Sequence, residues 1–180
     1  MTTPRRALVT GAASGIGEAC TRRLAADGVH VVAVDYDADG LRVLADLKNV
    51  EPVVADLADL DGLTALPSDV DILVNNAGVQ QVAPIEQFPP ERFGYLLRLM
   101  LESPFRLIRQ TLPHMYGSGW GRIVNISSVH GLRGSPFKAA YVAAKHGLEG
   151  LSKVVALLCG PASASLTGSS LVLDGGWTAH

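Results

Sequence analysis

The sequence is poor in cysteine and in charge, and each shortage narrows what the chain can be. Only Cys20 and Cys159 occur. They form no CxxC pair, and no histidine cluster has metal-ligand spacing, so neither a disulfide framework nor a metal site is expected. Both cysteines read as small buried apolar residues. Charged residues make up 18% of the 180, and the formal net charge is -2. That leaves no basic field for nucleic acid and no polybasic patch for a membrane surface. The apolar stretches are too short and too interrupted to span a bilayer. The polar start, Met1 to Arg6, enters an apolar strand directly, so no cleavable leader is expected. A reduced, cytoplasmic setting follows as the default expectation.

What is present is apolar material in abundance, 48% of the chain, enough for one sizeable core in a single domain, 1–180. It is arranged as strands alternating with helices. Strands are expected at Arg6–Thr10, His30–Asp35, Pro52–Ala55, Val70–Asn75, Gly121–Ser127 and Ser170–Leu173. Helices are expected at Ile16–Asp27, Asp37–Leu47, Pro89 to about Met115, and Ala139–Leu158, the last ended by Gly160 and Pro161. Pro104 should kink or locally open the third of these. Such alternation implies an α/β fold: a doubly wound parallel sheet of Rossmann type in a three-layer α/β/α arrangement. These sheets bind ligands beyond the carboxyl ends of their strands.

The first strand runs into Thr10-Gly11-Ala12-Ala13-Ser14-Gly15-Ile16-Gly17. Glycines let backbone approach a pyrophosphate, and the helix that follows supplies free N–H groups. The same turn could be a plain strand-to-helix connection; its strand–turn–helix context favours the phosphate reading. Asp35 ends the second strand, 18 residues after Gly17. A carboxylate there accepts from a ribose 2′-hydroxyl and repels a 2′-phosphate. Tyr36, Asp37, Ala13 and Ser14 offer no cation to rescue a phosphate, so NAD is favoured over NADP. Asp56, followed by Leu57, ends the third strand. It reads equally as an adenine contact or as an N-cap. Asn75-Asn76-Ala77-Gly78 ends the fourth, with small residues that let backbone run close to a flat cofactor.

Tyr141 and Lys145 are spaced i, i+4 and share a helix face. An ammonium so placed stabilises a phenolate and lowers a tyrosine pKa from its reference of about 10. Such a tyrosine can exchange a proton with a substrate hydroxyl. Ser128 can hold the same oxygen. Alone, YxxxK is weak, since many helices carry it as a solvated pair.

TGAASGIG, NNAG, a strand ending in Ser-Ser, and YVAAK nevertheless stand in the order of the short-chain dehydrogenase/reductase family, with Ser128 13 residues before Tyr141. The chain resembles that family. The resemblance implies that Tyr141 is the general acid/base, that Lys145 tunes it and bonds the nicotinamide ribose, and that Ser128 orients the substrate oxygen. It implies NAD contacts at Gly11, Ser14, Gly15, Ile16, Gly17, Asp35, Asp56, Leu57, Asn76, Ala77, Gly78, Tyr141 and Lys145. Within the family, Gly78-Val79-Gln80, Ser128-Val129-His130-Gly131, the Lys138–Gly147 stretch and Asp174-Gly175-Gly176-Trp177 resemble the D-3-hydroxybutyrate dehydrogenases. There the matching Gln80, His130 and Lys138 contact a substrate carboxylate, as a small hydroxy-acid anion requires. A homo-oligomer, dimer or tetramer, is implied as well.

Two departures stand out. Met100 occupies the position of an asparagine that helps a proton relay in many members, and it cannot hydrogen-bond as an amide does. Further on, Lys153-Val154-Val155-Ala156-Leu157 runs directly into Leu158-Cys159-Gly160-Pro161. The family has another strand, a Pro-Gly turn and a helical lid before that point. Because the pattern resumes on both sides, we expect this sequence to omit residues rather than the protein to lack them. The expected function is NAD-dependent interconversion of (R)-3-hydroxybutyrate and acetoacetate. The alternatives are dehydrogenation of another small hydroxy acid or alcohol, and non-catalytic dinucleotide binding.

Overall fold

The computed structural model describes residues 4–158. Cys159, the Gly160-Pro161 stop, the expected strand Ser170–Leu173 and the Asp174–Trp177 motif lie outside the described residues. Two compact units are present: residues 4–78 with 102–126, and residues 79–101 with 127–158.

The first unit is a five-stranded, wholly parallel sheet in the order β3-β2-β1-β4-β5. Its strands are β1 (Arg6–Thr10), β2 (His30–Asp35), β3 (Val50–Val54), β4 (Ile72–Asn75) and β5 (Arg122–Asn125), joined by α1 (Gly15–Ala26), α2 (Ala38–Arg42) and α4 (Ser103–Ser118). The order reverses between β1 and β4. With right-handed crossovers this sends α1 and α2 to one face and α4 to the other, which is the doubly wound Rossmann arrangement. Strand alternation divides the core accordingly. Ala7, Val9, Val31, Ala33 and Val74 form one cluster with Ala25, Leu41 and Leu44. Leu8, Val32 and Leu73, on alternate positions, are also fully buried. Cys20 is half-buried at the edge of that cluster rather than enclosed in it. β1 and β2 are apolar between their polar end residues because a central parallel strand is covered on both sides. Pro52, with no N–H for a ladder, sits in β3, at the sheet's edge.

The second expected helix is much shorter than its apolar spacing indicates. The Asp37 carboxylate caps α2 by accepting from the N–H groups of Asp39 and Gly40, both at 3.1 Å. After Arg42 the bonds tighten to three-residue turns, such as Leu44 N–H to the Leu41 carbonyl at 3.0 Å. Asn49, in the left-handed region with φ 68°, then turns the chain. Its carbonyl accepts from Val31 N–H at 2.8 Å, so pairing with β2 wins over propagation of the helix. β3 consequently begins at Val50, two residues before the expected Pro52. β4 and β5 are shorter than expected.

The second unit holds α3 (Pro90–Leu97) and α5 (Ala139–Leu158), which pack on each other, and a 3-10 turn at Val129–Gly131 that packs on α5. α5 begins at Ala139, as expected from sequence, and is helical to the last described residue. Between α3 and α4 the helix widens into a π turn at Arg98–Glu102. This is the opening expected at Pro104, which has no N–H for the carbonyl four residues back. Met100 lies in that turn and is buried. Among the described residues no helix is long and apolar enough to cross a membrane.

Candidate active site

In the first unit, the candidate site is the set of turns that leave the carboxyl ends of β1, β2 and β4. Thr10 organises two of them. Its hydroxyl donates to the Val74 carbonyl at 3.2 Å and accepts from the N–H groups of Asn76 at 2.9 Å and Ala77 at 3.1 Å. The Asn76 carboxamide returns the link, donating to the carbonyls of Thr10 and Gly11, both at 3.0 Å. Gly11 takes φ 66°, which disfavours any side chain. Gly17 is required for a different reason: a Cβ there would lie 2.0 Å from the Gly11 carbonyl oxygen. The turn and the first turn of α1 therefore touch backbone to backbone.

Asp35 is 8% exposed. One carboxylate oxygen accepts from Ala13 N–H at 3.0 Å and the other from Asp37 N–H at 3.0 Å. It thus ties the glycine turn to the end of β2. A carboxylate has about four lone-pair sites, so these bonds leave acceptor capacity for hydroxyls. Asp56 is exposed, and its Oδ1 accepts from Ala58 N–H at 2.8 Å, a turn-capping bond. Leu57 beside it is buried. Ser14 is the N-cap of α1 but makes no side-chain capping bond. Glu18 N–H bonds to the Ser14 carbonyl at 3.2 Å. The earlier N–H groups of Gly15, Ile16 and Gly17 thus belong to the open end of the helix, where no intrahelical acceptor exists. A dinucleotide pyrophosphate fits this donor set. Thr10 is the site residue that the motif reading did not single out. A hydroxyl residue closing an otherwise apolar buried strand was its signal.

In the second unit, the turn after β5 and the start of α5 bring the remaining candidates together. Ser128 is the N-cap of the 3-10 turn, and its Oγ accepts from His130 N–H at 3.2 Å. The His130 ring stands edge-on to the Tyr141 ring, centroids 6.1 Å apart. Lys138 Nζ lies 3.2 Å from His130 Nε2. An ammonium only donates, so Nε2 accepts and the imidazole proton sits on Nδ1. Burial, with the Lys138 charge added, holds the His130 pKa below the ordinary histidine value. Gln80 is exposed on a segment joined to the Lys138 loop by the bond from Ala83 N–H to the Phe137 carbonyl, 2.9 Å.

Lys145 Nζ lies 5.7 Å from the Tyr141 ring centroid. Lys145 is 4% exposed, and burial pulls its pKa from 10.5 to about 8 against the attraction of Glu149. An unfolded chain keeps this proton to about pH 10.5, whereas the folded chain releases it near 8. Folding stability should therefore rise from pH 8 to 10.5, by up to about 3 kcal/mol. Urea unfolding across that range checks this, and Lys145→Met should lack the rise. Among the described residues no histidine, cysteine or carboxylate group could hold a metal.

A family model described as short chain dehydrogenase matches residues 5–165. The chain is 44% identical over 167 residues to a D-beta-hydroxybutyrate dehydrogenase of Rhizobium meliloti, covering 85% of this chain and 65% of that protein. It therefore spans about two thirds of that relative's length. Among solved structures, one described as an NAD(P)-dependent gluconate 5-dehydrogenase from Beutenbergia cavernae, with bound NADP at low occupancy, is 40% identical with TM-score 0.79, over 86% of this chain and 66% of that one. A 4-hydroxyisoleucine dehydrogenase complexed with NADH is 33% identical with TM-score 0.79, over 88% of this chain and 69% of that one.

Proposed function

Because the chain belongs to the short-chain dehydrogenase family, we propose that it is an NAD-dependent oxidoreductase that interconverts (R)-3-hydroxybutyrate and acetoacetate. The observation that carries the substrate is the Lys138–His130 pair seated on the Tyr141 ring. It places a cation one ring away from a hydroxyl able to handle a proton. A short hydroxy acid has that form: a carboxylate two bonds from a carbinol. Similarity to a hydroxybutyrate dehydrogenase supports the same reading.

The residues divide the work. Lys138 gives one of its three donors to His130 and keeps the others for the carboxylate, with the Gln80 carboxamide as a further donor. Ser128 Oγ accepts from His130 N–H, which leaves its own proton to donate to the substrate oxygen. Tyr141 takes the hydroxyl proton during oxidation and returns it during reduction. NAD, when bound, supplies the hydride acceptor. For it, the open end of α1 at Gly15, Ile16 and Gly17 offers donors to the pyrophosphate, and Asp35 accepts from the adenosine ribose. Asn76, Ala77 and Gly78 supply close backbone, and Asp56 and Leu57 border the adenine.

The test is formation of reduced cofactor when the purified chain meets NAD and (R)-3-hydroxybutyrate. Activity with other hydroxy acids or polyols but not with this one would move the substrate assignment. NAD binding with no turnover on any short hydroxy acid would favour a non-catalytic dinucleotide-binding protein. Asp35→Ala should cost the NAD reaction roughly tenfold or more in kcat/KM, about 1.4 kcal/mol. The NADP reaction should fall less, because a repelling carboxylate is removed while the Ala13 tie is lost for both. An unchanged ratio of the two would show that Asp35 does not select the cofactor.

A further inference from the structure

We infer that Glu149 is a positioning residue for Lys145: it holds the ammonium charged and in place on α5 and seats the turn that follows Ser128 against the same step of helix. This rests on the reading of Tyr141 and Lys145 as the proton-handling pair.

Tyr141, Lys145 and Glu149 stand at successive i, i+4 steps on α5. Glu149 is 9% exposed, and glutamate is seldom buried so deeply unless paired. The order Lys then Glu is the weaker orientation for a helix-surface pair, so helix stability does not explain it. Packing gives the explanation. A Cβ at Gly131 would lie 3.1 Å from Glu149 Cγ and 3.0 Å from the Lys145 carbonyl oxygen. The Ser128–Gly131 turn thus rests closely on the Lys145–Glu149 step, where a side chain at position 131 would be tight.

The other charged or titratable groups near Lys145 do not substitute for this carboxylate. His130 and Lys138 on the preceding loop supply a neutral ring and a second cation. Arg133 lies between them on the same loop. On α3, which packs on α5, Glu91 is exposed, Arg92 is bonded to Gln81 at 2.8 Å and stacks on Tyr95. Burial drives Lys145 toward its neutral form, and Glu149 opposes it. Without the carboxylate, burial acts alone. Lys145 would then be charged in a smaller fraction of molecules at physiological pH and would present less positive charge to Tyr141.

The experiment is a titration of the Lys145 side chain by NMR in the full, carbon-13-lysine-labelled chain, with the signal assigned by its loss in Lys145→Arg. Glu149→Gln keeps the shape and removes the charge. It should lower the Lys145 midpoint by roughly one pH unit or more. Glu149→Asp, a carboxylate one carbon shorter, should restore part of the shift, and it serves as the charged reference should Glu149→Gln fold poorly. In assays, the pH profile of kcat should move with the midpoint while KM for NAD stays put. An unmoved Lys145 midpoint in Glu149→Gln overturns the proposal, as does a fall in kcat with an unmoved profile. A chain inert toward (R)-3-hydroxybutyrate would remove the functional reading instead, and the NMR midpoint would still decide for or against Glu149.

Discussion

Tyr141→Phe should lower kcat for NAD reduction by about a hundredfold to ten thousandfold, the usual contribution of a positioned acid or base. The change removes one oxygen and nothing else. The ring keeps its edge contact with His130 and its place over Lys145. Because Tyr141 is only half-buried, no enclosed polar partner is left stranded, and stability should change by less than about 1 kcal/mol. KM for NAD should stay within a few-fold, since the pyrophosphate and adenosine-ribose contacts proposed above belong to other residues. Steady-state kinetics with an unfolding curve on the same preparation separates loss of chemistry from loss of fold. Full activity in the Phe variant would eliminate Tyr141 as the proton carrier.

Gly17→Ala should damage both the fold and dinucleotide binding. The added Cβ would meet the Gly11 carbonyl oxygen at 2.0 Å and the Asn76 carboxamide nitrogen at 2.5 Å. The first obstacle is backbone, and a Cβ has no rotamer by which to escape it. Either α1 slides away or the Thr10–Gly11 turn opens, and the second choice breaks the Asn76 bonds that join it to the turn after β4. Overpacking of this kind costs about 1–3 kcal/mol where the surroundings can yield. Here the surroundings are backbone, so the upper end or beyond is expected. Urea unfolding should show a lower midpoint, and calorimetric titration should show NAD affinity reduced at least tenfold. A variant with unchanged midpoint and affinity would mean that this turn does not cradle the phosphates.

Much of this was legible without coordinates, for local reasons. β1 and β2 are apolar, β-branched and bounded by turn residues, so their ends match the expected ones. α5 begins at Ala139 as read from its pattern and stays helical through the described residues because nothing interrupts its spacing. Pro104 signals an opening wherever it falls, since a missing N–H is a property of the residue. That the opening takes the form of a π turn which buries Met100 was not legible. The second helix was misjudged because apolar spacing reports the propensity of a segment in isolation. The chain after Arg42 is claimed by the pairing of β3 with β2, a non-local interaction that the segment does not encode.

The site divides along the same line. Chemical identity was a matter of sequence: the glycines, Asp35, Asn76, Ser128, Tyr141 and Lys145 could be named from motif and spacing. Their states were decided by the tertiary structure. Asp35 is read from sequence as a ribose acceptor, but only folding brings it to Ala13, 22 residues away, to hold the turn itself. Lys145 reads as an ordinary cation one turn from Tyr141. Its low pKa comes from burial, and Glu149 opposes that shift from the far side of the same buried step. A sequence determines which groups a chain has and which neighbours they have along one helix or strand. Burial and electrostatic environment are sums over residues distant in the chain, so only the folded structure could decide what those groups do.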